Sequence, residues 1–277
     1  ALPTQVSAVK HAVAPYCYRC PLKLSYPECG VACAEDVDEL IRTTTTGQVA
    51  GILVEPIMGV GGFITPPEEY FKIVAEIVRN YGGVFISDEV QTGFGRTGKR
   101  WGIEHYGVEP DMITVAKGIA NGMPLAAVVT TQEIASTLTK NTISTFGGSP
   151  VSCAAANATI DIIERDNLKD NSAEMGKILR DGLEELKEKF PKVIGEVRGK
   201  GLMQGIELVK DETTGDRTPN VAAADQLMEE TKKRGLFIGR GGLYGNSMRI
   251  SPPLVITKAE VEEAIGIIDD SFKAMNV

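Results

Sequence analysis

The chain has 277 residues, 43% hydrophobic and 24% charged, an ordinary globular balance with room for two domains of modest size. A net charge of −8 argues against nucleic acid and anionic membrane as partners. No apolar run reaches a transmembrane length and the start ALPTQVSAVKHAVAP lacks a signal-peptide shape, so a soluble cytoplasmic protein is expected.

Residues 1–32 carry prolines at 3, 15, 21 and 27 and no helical period, which predicts loop. Four of the five cysteines sit in this stretch or directly after it: Cys17, Cys20, Cys29 and Cys33. C-x2-C followed by C-x3-C can build a zinc site, but the second pair is looser than a zinc ribbon's and the gap between pairs is short. Reduced thiols without metal are the default, with structural zinc as the alternative. Cys33 to Thr44 reads as a helix with Asp36, Asp38 and Glu39 near its positive end. VAGILVEP reads as a buried strand ending at Glu55, with Pro56 stopping the pairing. GVGG at 59–62 does not lead into a helix start, so it is no phosphate cradle.

Pro66 and Pro67 open a helix that runs to Asn80, with Tyr70, Val74, Ile77 and Val78 on one apolar face. GGVFISDEV is a short apolar run, entered through two glycines and ended by acids, which predicts a buried parallel strand. DMITVA is the next strand, and LAAVVTT a third, followed by a helix that Thr131 caps. Strand–helix–strand alternation of this kind predicts an α/β fold with a parallel, doubly wound sheet.

An alanine-rich helix runs from Val151 to about Arg165, and the domain change is placed near its start: a larger domain over 1–155 and a small α+β domain over 156–277. The second part reads as a helix from Asn171 to Phe190, antiparallel strands in KVIGEVRG and LMQGIELV, a helix from Val221 to Arg234, short strands in LFIG and SMRIS, and a last helix carrying Val261, Ile265, Ile268 and Phe272. The glycine patterns GKGLMQG and GRGGLYG do not have the strand–G-x-G-x-x-G–helix context, which disfavours a dinucleotide site.

Two residues stand out chemically. In open α/β sheets ligands bind outside the carboxyl ends of the strands. Asp88 lies at such an end, and Lys117 follows the next strand at once. A buried lysine loses its proton readily and becomes a nucleophile suited to Schiff-base chemistry. An acid and a lysine at neighbouring strand ends match the needs of pyridoxal phosphate (PLP), a lysine for the aldehyde and an acid for the pyridine nitrogen. A plain buried ion pair between Asp88 and Lys117 is the competing reading.

SDEVQTGFGRTG, then AKGIANGMPLAAVV, then TFGGSP resemble the class III aminotransferases of fold type I in sequence and order. EPIMGVGGFITP, VRGKGLMQGIELV and MRISPPL resemble the alanine–glyoxylate group within that class. The resemblance implies a PLP enzyme with a mostly parallel large-domain sheet and a small C-terminal α+β domain. It implies Lys117 as the imine lysine and general base, Asp88 on the pyridine nitrogen, Val90 against a ring face and Gln91 near the phenolic oxygen. It also implies Thr145 donating to the cofactor phosphate of the neighbouring subunit in a homodimer, and Arg249 clamping a substrate carboxylate. Some members carry a glutamate where Val60 stands, paired with that arginine, and its absence favours α-amino or short β-amino acid donors. The reaction implied moves an amino group from a donor such as alanine to glyoxylate or pyruvate. A phospholyase on amino-alcohol phosphates, and a fragment inactive alone, remain alternatives. The family's phosphate-binding loop and first strands have no counterpart here, so the chain resembles the C-terminal two-thirds of such an enzyme.

Overall fold

The computed structural model describes Val6 and residues 8–276. The loop reading of residues 1–5 and 7, Pro3 included, falls outside the described residues. Contacts separate two units: Ala1–Pro56, Pro66–Phe94 and Trp101–Asp166, and Ile57–Thr65, Gly95–Arg100 and Asn167–Val277. The change at residue 166 follows the end of a helix, whereas the sequence expectation places it at 155.

In the first unit the elements are α1 (Ala32–Thr44), β1 (Gly51–Val54), α2 (Tyr70–Asn80), β2 (Val84–Asp88), β3 (Met112–Val115), β4 (Ala127–Thr130), α3 (Gln132–Ala135) and α4 (Pro150–Arg165). The sheet runs β1-β2-β3-β4. β1 and β3 flank β2 in parallel, with Ile52 opposite Phe85 and Asp88 opposite Thr114. β4 is antiparallel to β3, Val115 facing Ala127. A parallel crossover takes about a dozen residues or more, usually with a helix. The 116–126 connection holds only a 3-10 turn, Lys117–Ala120, and so turns the chain back on itself.

α2 follows its apolar stripe: Tyr70, Phe71, Val74 and Val78 are buried. Phe71 sits edge-on to Phe85 of β2 and to Tyr106, with ring centroids 6.2 and 4.7 Å apart. Burial contributes about 1.5–3 kcal/mol for each such side chain, and edge-to-face contact adds to it. Val37 and Ile41 of α1 close the same core. Asp111 ties the sheet to the end of α2: its Oδ2 accepts from the Phe85 N–H at 2.7 Å and from Arg79 Nη2 at 3.2 Å.

The second unit contains α5 (Leu168–Lys189), β5 (Ile194–Lys200), β6 (Met203–Asp211), β7 (Asp216–Pro219), α6 (Val221–Lys233), β8 (Gly239–Gly241), β9 (Ser247–Ile250) and α7 (Lys258–Ala274). Its sheet is antiparallel, β5-β6-β9-β8, with β7 added to β6. Leu179, Leu183 and Leu186 of α5 pack with Ile206, Leu208, Ile268 and Phe272. Where α5 meets the β5–β6 turn, a Cβ on Gly176 would lie 2.2 Å from the Gly201 carbonyl carbon, so only glycine permits this contact.

A buried arginine organises the centre of this unit. Arg198 donates from Nε to the Gly62 carbonyl at 2.9 Å, from Nη1 to Glu207 at 2.7 Å and to Glu196, and from Nη2 to Ser247 Oγ at 3.0 Å. Arg198 and Glu207 are both buried, so the pair needs all of these hydrogen bonds to offset its desolvation. Arg96, half-buried, donates to the carbonyls of Pro252 and Leu202 at 2.5 and 3.3 Å, and its own carbonyl accepts from Ser172 Oγ at 2.8 Å. Burial lowers its pKa. No helix among the described residues is long and apolar enough to cross a membrane.

Candidate active site

Side chains alternate along β2. Phe85 and Ser87 are buried, while Asp88 is half-buried on the opposite face at the carboxyl end of the strand. Register pairs Asp88 with Thr114 of β3, and Lys117 lies just past the end of that neighbouring parallel strand. Both residues therefore leave the sheet at one edge.

Lys117 opens its 3-10 turn with φ +46°, a left-handed conformation that a lysine adopts only at a cost. The expectation of a buried Lys117 is corrected, because the side chain is exposed. The cause is local: the strand ends at Val115, and the left-handed backbone carries the lysine off the sheet instead of into a packed layer. Asp88 differs from expectation as well. Its Oδ1 accepts the backbone N–H of Val90 at 3.0 Å, and among the described residues it has no cationic partner. The plain Asp88–Lys117 ion pair does not form, which leaves both groups available to a third.

Sequence reasoning missed Glu89. It is 1% exposed and accepts four hydrogen bonds: from Ser87 Oγ at 3.0 Å, Thr92 Oγ1 at 2.5 Å, Gly102 N–H at 2.8 Å and Ile103 N–H at 2.9 Å. It staples the turn after β2, which carries half-buried Val90 and Gln91, to the 3-10 turn Gly102–Tyr106. Gly102 fits because a Cβ there would lie 2.7 Å from Thr92 Cβ. The available signal was alternation, which puts Ser87 and Glu89 on the face opposite Asp88. Thr145 is exposed, between Ile143 and Phe146, which are 96% and 84% exposed.

Arg249 belongs to the second unit, on β9. Its guanidinium carbon lies 5.8 Å from the Phe63 ring centroid. Nη1 and Nη2 donate at 3.4 Å to the carbonyls of Gly59 and Arg240, while the buried Nε has no partner. Gly241 makes room for it, since a Cβ there would lie 2.6 Å from Nε. No carboxylate pairs with Arg249 among the described residues. Arg240 has an ordinary ion pair with Asp225 at 2.6 Å. A half-buried guanidinium with an orphaned donor fits a carboxylate ligand.

The family model for Aminotransferase class-III matches residues 3–272. The chain belongs to the class III aminotransferases. This family depends on PLP, and an α/β unit with a mostly parallel sheet, together with a unit whose sheet is antiparallel, is its fold. The chain is 43% identical over 270 residues to the mitochondrial alanine–glyoxylate aminotransferase 2 homolog 2 of Arabidopsis thaliana, covering 97% of this chain and 55% of that relative. It is 42% identical to the human mitochondrial alanine–glyoxylate aminotransferase 2 over 236 residues, 84% of this chain and 46% of that relative. A solved amine transaminase from an uncultivated Pseudomonas species, in its PLP-bound form, is similar with a TM-score of 0.85 and 35% identity, over 94% of this chain and 60% of that one. This class III chain thus spans about half the length of the curated relatives it matches. Those relatives are mitochondrial proteins, which overturns the expectation of a cytoplasmic location. That expectation rested on the lack of a signal-peptide shape, and the lack of one targeting signal does not specify a compartment.

Proposed function

We propose that this chain provides the lysine, the ring-nitrogen acid and the carboxylate clamp of a PLP-dependent transaminase that moves an amino group from an amino acid such as alanine to glyoxylate or pyruvate. One observation carries this reading: Asp88 and Lys117 leave neighbouring parallel strands at the same sheet edge without pairing to each other. Asp88 would face the pyridine nitrogen, Val90 a ring face, Gln91 the phenolic oxygen and Lys117 the aldehyde carbon. When bound, PLP supplies an electron-withdrawing ring that makes the substrate Cα proton acidic. Asp88 would keep the pyridine nitrogen protonated. Lys117 Nζ takes the proton from the substrate Cα and returns a proton to the product side, the two-way transfer expected of a general acid–base.

Arg249 holds the substrate carboxylate, and its orphaned Nε and the lack of a carboxylate partner support that role. Val60, in the loop whose Gly59 carbonyl touches Arg249, offers no acid to compete. In the same proposal residues 1–155 carry the cofactor-binding side and 156–277 the small domain. The active form is a homodimer in which exposed Thr145 donates to the cofactor phosphate of the neighbouring subunit.

The test is a half-reaction. Protein loaded with PLP and given L-alanine without acceptor should release pyruvate once per site, and Lys117→Ala should release none. Ammonia and phosphate from an amino-alcohol phosphate, with no pyruvate from alanine, would instead identify a phospholyase.

A further inference from the structure

The cysteine-bearing segment is not absorbed by the aminotransferase site. Cys17, Cys20, Cys29 and Cys33 all border one cavity, beside Tyr16 and Leu22. None is in a disulfide, and the described residues contain no cluster of three or more ligands in metal-binding geometry. The four cysteines differ in access. Cys17 is exposed, Cys20 and Cys29 half-buried, and Cys33 buried at the start of α1.

Cys17 and Cys20 are geometrically matched. Cys17 opens the 3-10 turn Cys17–Arg19 and Cys20 caps it. In such a turn residues i and i+3 eclipse, with a rise of roughly 2 Å per residue, which sets their Cα atoms about 6 Å apart on one side. Disulfides form at Cα separations of roughly 4.4–6.8 Å. The turn is held on both sides: Arg19 N–H donates to the Tyr16 carbonyl at 3.1 Å, and Lys23 N–H to the Cys20 carbonyl at 3.0 Å. Tyr16 is buried, and Tyr26 Oη anchors the segment by donating to Glu69 at 3.1 Å.

The structure assigns Cys17 and Cys20 to a dithiol site that reduces small disulfides, becoming an intramolecular disulfide across the turn. Oxidised glutathione represents the substrate class. The Cys17 thiolate attacks one glutathione sulfur, the glutathione S–S bond breaks, and one glutathione thiolate leaves. The Cys20 thiolate then attacks the Cys17 sulfur of the mixed disulfide and expels the second glutathione thiolate. The two protons lost by the cysteines balance the two glutathione thiols formed. The protein dithiol is oxidised by two electrons and the small disulfide is reduced. Cys33 does not compete, because burial, with the nearby Cys17 and Cys29 thiols, pushes its pKa up to about 11 and keeps it protonated.

Tryptic mapping tests this directly, since cleavage after Lys10, Arg19 and Lys23 places Cys17 on peptide 11–19 and Cys20 on peptide 20–23. The full chain is treated with oxidised glutathione, quenched in acid, alkylated and digested without reductant. The expected result is peptide 11–19 joined to 20–23 through a disulfide, and in Cys20→Ser a glutathione retained on Cys17. Recovery of Cys17 fully alkylated in the unsubstituted protein, as a lasting glutathione adduct, or joined to peptide 24–42 would overturn the proposal. The readout needs neither PLP nor turnover, so its failure is distinct from failure of the transaminase reading.

Discussion

Glu89→Ala should destabilise the first unit by about 3–5 kcal/mol. The substitution leaves four donors facing a void. The hydroxyls of Ser87 and Thr92 can rotate toward other acceptors, but the N–H groups of Gly102 and Ile103 are fixed by the 3-10 turn. Each unsatisfied buried donor costs about 1–3 kcal/mol, so two fixed donors cost about 2–6, and partial hydration or relaxation trims the upper end. Glu89→Gln keeps one acceptor oxygen but turns an amide NH2 toward a remaining donor, for a loss of about 2 kcal/mol. Trp101 is the chain's only tryptophan and immediately precedes Gly102, so its fluorescence reports this unit alone during urea unfolding. A midpoint shift for Glu89→Ala equivalent to less than about 1 kcal/mol would refute the view that this carboxylate anchors the turn carrying Val90 and Gln91.

Arg198→Met should cost about 3–5 kcal/mol by removing the guanidinium partner of buried Glu207, and Arg198→Met with Glu207→Leu should recover much of that loss, both read by far-UV circular dichroism in urea. Gly176→Ala and Gly266→Ala should have opposite signs. The first forces a methyl into the Gly201 backbone and costs about 1–3 kcal/mol or more, whereas the second enters open space on the exposed face of α7 and gains about 0.5–1 kcal/mol, as thermal melts would show. Iodoacetamide should modify Cys33 last of the four clustered cysteines at neutral pH. Because its pKa is raised to about 11, its rate should keep climbing between pH 9 and 11, after the rate at an ordinary thiol has levelled off.

The positions of the strands and helices were legible because each carries its own period. Tyr70, Val74 and Val78 recur at helical spacing and are buried, and the apolar runs before Asp88 and Lys117 became β2 and β3. The direction of β4 is not encoded in LAAVVTT, because a strand's apolar pattern reads the same in either direction. It follows from the short 116–126 connection, a constraint of chain length. The small strand β7 escaped notice because DRTP has almost no apolar content and pairs only through its backbone with β6.

The candidate site was legible as residue types at strand ends and illegible as environment. Lys117 is exposed because one left-handed residue redirects the chain, and no spacing rule predicts that φ. Glu89 went unnoticed because its importance lies in two backbone donors thirteen and fourteen residues away in sequence. The orphaned Nε of Arg249 depends on Gly241 and Phe63, which reach it through tertiary packing within their unit.

Reductive trapping tests the shared-cofactor account most directly. One equivalent of PLP is added to the protein, the mixture is reduced with borohydride, and the labelled lysine is located by peptide mass mapping. The account predicts a single pyridoxyl group on Lys117, with the label lost in Lys117→Ala. Label distributed over other lysines, with Lys117 recovered unmodified, would contradict it.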